Sequence, residues 1–64
     1  MYTVDDCRYK GNGEDENIVQ TSYRGKGKRI VINKRYPSKM EALIDMYQNK
    51  NAQEKGREVN IEWQ

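Results

Sequence analysis

The chain has 64 residues, 34% hydrophobic and 34% charged, with a net charge of +2 and no histidine. A chain this short forms one domain, residues 1–64, with a thin core, and its aromatics (five Tyr and one Trp) must supply much of the buried area. Without His, and with the single Cys7, the usual general base, a structural zinc site and an internal disulfide are all excluded. A lone thiol, no leader-like start and no long apolar run predict a cytoplasmic protein of a host cell that does not enter a membrane.

In chain order, Met1 to Lys10 has strand character in Tyr2, Val4, Cys7 and Tyr9, and its alternation slips one step at Asp5-Asp6, which suits a bulge. Gly11 to Glu16 is a turn. Asn17 to Arg24 is a second strand, with Val19, Thr21 and Tyr23 on one face. Gly25-Lys26-Gly27 is a second turn, and Lys28 to Tyr36 a third strand, with Ile30 and Ile32 opposite Arg29, Val31, Asn33 and Arg35. Ser38 and Glu41 have the spacing of a helix-opening capping box. The helix that follows places Met40, Leu43, Ile44 and Tyr47 on one stripe, widened by Ala42 and Met46, and should fade over residues 50–54. Arg57 to Gln64 alternates as a last strand, with Val59, Ile61 and Trp63 on one side.

This order, β-β-β-α-β, predicts an α+β fold: a four-stranded mixed sheet of order 3-2-1-4 with one helix packed on one face. The helix acts as a right-handed crossover to a parallel last strand. The expected core is Tyr2, Val4, Ile30, Ile32, Met40, Leu43, Ile44, Tyr47, Val59, Ile61 and Trp63.

Charge is distributed unevenly. Residues 1–23 hold two cations and five anions, residues 24–39 seven cations and no anion, and residues 40–64 three cations and five anions. The basic block makes Arg24, Lys26, Lys28, Arg29, Asn33, Lys34 and Arg35 the candidate binding residues. Arg and Asn can read guanine and adenine edges, whereas Lys in a hairpin can equally be a solvated guard against edge pairing. The GKGK element lacks the spacing of a phosphate loop. Neither Asp5-Asp6 nor Glu14-Asp15-Glu16 forms a recognisable acid/base pair, so no catalytic residue, metal ligand or cofactor is assigned and the chain is not expected to be an enzyme.

The segment GKRIVINKRYPSKMEAL, within residues 24–47, resembles the end of AP2-like domains and of integrase arm-binding domains. Tyr36-Pro-Ser-Lys-Met-Glu-Ala42 stands where those families have Phe-x-Thr-x-x-Glu-Ala. The resemblance implies a three-stranded sheet inserted into a DNA major groove, with Arg24, Arg29, Asn33 and Arg35 as contacts. In size and composition alone, the chain is similar to small phage accessory proteins such as anti-CRISPRs, which imply inhibition of a host protein or nucleoprotein complex by surface coverage. Both readings are of a non-catalytic binding protein acting through the basic hairpin and strand surface. The leading expectation is the accessory protein of a phage or mobile element, acting on a host protein or nucleoprotein complex; the alternative is the DNA-binding module, and a homodimer stays open.

Overall fold

The computed structural model describes residues 1–61. Three long strands, β1 (Tyr2–Gly11), β2 (Asn17–Gly25) and β3 (Lys28–Arg35), precede a helix, α1 (Lys39–Glu54), and a two-residue strand, β4 (Glu58–Val59). The sheet has the expected order β3-β2-β1-β4, with α1 against β1 and β2 on one face.

The β1–β2 turn is closed by Asn12. Its Oδ1 accepts from the amides of Glu14 (2.8 Å) and Glu16 (3.2 Å), and its Nδ2 donates to Asp15 (2.6 Å). The β2–β3 turn has two residues, Lys26 and Gly27, both with positive φ (39° and 74°). That is the primed geometry whose twist matches a right-handed hairpin, and Gly27 supplies it without strain. Residues Val4 and Asp6 pair with consecutive residues of β2, Tyr23 and Ser22, leaving Asp5 as the extra residue of the expected bulge.

Ser38 caps α1, its Oγ accepting from the Glu41 amide at 3.2 Å; such a cap contributes about 1 kcal/mol. At the other end the amide of Gly56 (φ 62°) donates to the Gln53 carbonyl and that of Arg57 to the Ala52 carbonyl, the paired bonds of a Schellman stop. The helix therefore persists to Glu54, the far limit of its expected end.

Two expectations are corrected here. The sheet is not mixed: β4 pairs antiparallel with β1 at Tyr2 and Thr3, as do all other neighbours. The helix ends level with the bulge, where Gln53 Nε2 donates to the Asp5 carbonyl at 2.7 Å. Only the Tyr2–Thr3 edge lies beyond that point, and the chain meets it still travelling in the helix's direction.

The second correction concerns the core. Buried apolar side chains are Val4, Cys7, Val19, Ile30, Ala42 and Met46. Tyr2, Ile32, Leu43, Val59 and Ile61 are half-buried, and Trp63 lies outside the described residues. Met40, Ile44 and Tyr47 are exposed (73%, 51% and 63%), so three of the four stripe residues face away from the sheet and only Leu43 packs against the core. The spacing of apolar residues is helical, but side-chain size sets the phase. Fully buried Ala42 lets the helix backbone approach β1 and β2 closely, where the bulkier set would hold it off.

A polar seam runs through this interface. Cys7 Sγ lies 3.5 Å from Thr21 Oγ1, which also accepts from Asn49 Nδ2 at 3.4 Å. Beside it, burial followed by hydrogen bonding to Asp45 pushes the Tyr36 hydroxyl pKa well above the usual 10.0.

Candidate binding face

Strand register sorts the side chains of β1–β3 between the helix-covered face and an uncovered one. Covered rows hold Val4, Tyr23 and Ile30; Cys7, Thr21 and Ile32; Tyr9, Val19 and Lys34. On the uncovered face the successive rows are Glu58, Thr3, Arg24 and Arg29; Asp6, Ser22 and Val31; Arg8, Gln20 and Asn33; Lys10, Ile18 and Arg35.

Of the residues predicted to bind, Arg24, Arg29, Asn33 and Arg35 therefore share the uncovered face. Lys26 sits at the hairpin tip. Lys28 pairs with Gly25 and Lys34 with Val19, so their register places both with the covered face, at its β3 edge. The basic block does not gather on one side, because strand alternation splits it. The same pairing adds residues that the basic block omits, namely Arg8, Lys10, Gln20 and Ser22. Their signal was available in the bulge: once it is counted, Asp6, Arg8 and Lys10 align with Arg24 and Arg29.

The arginines are partly engaged. Asp5 sits between two strands' worth of cations, with Arg24 Nη2 at 3.2 Å from Oδ1 and Arg29 Nη2 at 2.6 Å from Oδ2. Arg8 donates to Asp6 Oδ2 through both Nε (3.2 Å) and Nη2 (2.9 Å). Those bonds, with the Cys7 amide donating to Oδ1, hold the Asp6 carboxyl below its ordinary pKa. Exposed pairs of this kind add little to stability, because solvent screens them. The face remains cationic: Arg8, Lys10, Arg24, Arg29 and Arg35 outnumber Asp5, Asp6 and Glu58.

The rest of the surface offers less chemistry. A shallow groove of about 400 Å³ lies between the β3–α1 connection and α1, lined by Tyr36, Pro37, Glu41, Ile44, Asp45 and Gln48. Cys7 is free and buried. Among the described residues there is no group of three or more His, Cys, Asp or Glu side chains placed to hold a metal ion. No described helix is long and apolar enough to cross a membrane.

The molecule is thus an α+β protein whose antiparallel sheet is covered by one helix on one side and presents arginine and amide side chains on the other. No family model, curated protein or solved structure matches the chain.

Proposed function

We propose that the protein is a non-catalytic binding module that lays the uncovered face of β1–β3 into the major groove of duplex DNA. The observation that carries this reading is the composition of that face. Arg8, Gln20 and Asn33 form one cross-strand row, with Lys10 and Arg35 in the next row on one side and, beyond the row of Asp6, Ser22 and Val31, Arg24 and Arg29 on the other.

Three strands spaced ~4.8 Å apart span about 10 Å between outer backbones. The major groove is about 12 Å wide and displays the acceptors of guanine to Arg and the donor–acceptor pair of adenine to Asn or Gln. Ile18 and Val31, on the same face, supply the apolar contact that a thymine methyl takes. The helix lies behind the sheet and stays clear of the duplex. Lys26, at the hairpin tip, can meet the phosphate chain as the groove curves away.

Binding is read by fluorescence anisotropy with a labelled duplex. With roughly four phosphate contacts, affinity should fall about 100-fold between 50 and 200 mM salt, through counterion release. Arg35→Ala should weaken binding at least about tenfold, whereas Lys34→Ala, its neighbour in sequence but on the other face, should cost threefold or less. Equal losses from the two would overturn the assignment of the face.

The alternative, coverage of a protein partner, is favoured by a different observation. Met40, Ile44 and Tyr47 present an exposed apolar stripe on α1. That mode of binding would survive moderate salt and nuclease treatment, and substitutions on the sheet face would leave it intact.

A further inference from the structure

We propose that the bulge in β1 is a specificity device, in which Asp5 restrains Arg24 and Arg29 so that the sheet face discriminates among duplex sequences instead of gripping any polyanion. This rests on the docking reading above and assigns a role to a carboxylate that would otherwise only oppose it.

A regular strand would alternate Asp5 and Asp6 between the two faces. The extra residue at the bulge brings both carboxylates to the uncovered side, each onto arginine: Asp5 onto Arg24 and Arg29, Asp6 onto Arg8. Of the arginines in the face's rows, Arg35 alone has no carboxylate within ion-pair distance among the described residues. The bulge is itself anchored from behind, since Gln53 of α1 donates to the Asp5 carbonyl at 2.7 Å. The Asp5 side chain is only 24% exposed, between Arg24 and Arg29 side chains that are 66% and 60% exposed.

Such an arrangement has two consequences. First, Asp5 cancels one positive charge where phosphate would approach, which lowers sequence-independent attraction. Second, Asp5 engages only the Nη2 of each guanidinium, by a hydrogen bond at Arg29 and by an ion pair at Arg24, and leaves the Nε and Nη1 donors to face outward partners. A fork held on one side is pre-oriented for a planar acceptor pair on the other, and the order is imposed before binding. Asp5 is thus a positioning residue: it acts through the two arginines.

The test compares wild type, Asp5→Asn and Glu54→Gln with a random-sequence duplex pool. Glu54→Gln makes the same charge change on the exposed end of α1, away from the face. Asp5→Asn should bind the pool about three- to tenfold more tightly at 50 mM salt, with a salt slope steeper by about 0.9. After selection on the pool, wild type should enrich defined sequences and Asp5→Asn should enrich them about tenfold less, with Glu54→Gln behaving as wild type. If wild type binds and selects but Asp5→Asn matches Glu54→Gln in both readouts, the role of Asp5 is refuted while the docking face stands. If neither wild type nor Asp5→Asn binds the duplex at low salt, the docking reading and this inference fall together.

Discussion

Replacing Gly11 with Ala should unfold the protein or remove about 3 kcal/mol or more of its stability, where a domain of this length holds roughly 3–10 kcal/mol in total. Gly11 ends β1 with φ at 146°, a conformation that L side chains rarely adopt. A Cβ there would overlap the Glu16 carbonyl oxygen and sit 3.2 Å from the Asn17 Cα. Those atoms are backbone, in the pair where Gly11 meets Asn17, so they cannot swing aside. The matched control is Gly27→Ala. Its φ is also positive, at 74°, but nothing lies within 4 Å of a Cβ, so only conformational strain of about 1 kcal/mol is expected. Urea midpoints for the two variants measure the difference. Similar midpoints would show that the β1–β2 turn gives way easily.

The second large effect is expected at Asn17, which is fully buried (0% exposed). Its Oδ1 accepts from the Tyr9 hydroxyl at 2.9 Å, its Nδ2 donates to the Glu14 carbonyl at 3.0 Å, and its own carbonyl accepts from the Tyr36 amide at 2.8 Å. One residue thus ties the first turn, the end of β1 and the exit from β3 together. Asn17→Leu fills similar space but removes both side-chain bonds and strands their partners, at a cost of about 2–3 kcal/mol. Tyr9→Phe removes one of those bonds and leaves the Asn amide in place, so it should cost about 1 kcal/mol. A denaturation midpoint for Asn17→Leu that matches Tyr9→Phe would contradict this central role.

These positions show which parts of the fold were legible beforehand. The order of β1 to β3, the Asp5 bulge, the two turns and the Ser38 cap all follow from local signals: alternation, Gly and Asn in turns, and a capping box; the place of β4 beside β1 was expected through a parallel crossover that the antiparallel pairing replaces. The facing of α1 does not follow from such signals. Met40, Leu43, Ile44 and Tyr47 have correct helical spacing, yet the buried positions are Ala42 and Met46 and only Leu43 of the four packs beside them, because closeness of approach selects the small residue. Hydropathy ranks Asn17 as a surface residue. Only its three hydrogen bonds, each dependent on chain folding, make it a core one. The direction of β4 depends on where the helix stops, and Gly56 marks that stop without showing which sheet edge remains beyond it.

The binding face was legible in part for the same reason. A run of basic residues is visible in one dimension, but alternation deals them to two faces. Arg24, Arg29, Asn33 and Arg35 reach the uncovered side, and Lys28 and Lys34 do not. Arg8, Lys10 and Gln20 join them from strands that look acidic or neutral in sequence. Asp5 shows no partner in the sequence, yet the fold makes it a partner of two arginines, a relation across strands far apart in sequence.

The most direct measurement is a titration of isotopically labelled protein with a short duplex, following side-chain N–H signals by NMR. The account predicts that Arg Nε–H signals of Arg8, Arg24, Arg29 and Arg35 and the amide signals of Gln20 and Asn33 shift together. Those of Gln48, Asn49 and Gln53 on the helix should stay in place. Shifts confined to the helix signals, or none at all at low salt, would contradict it.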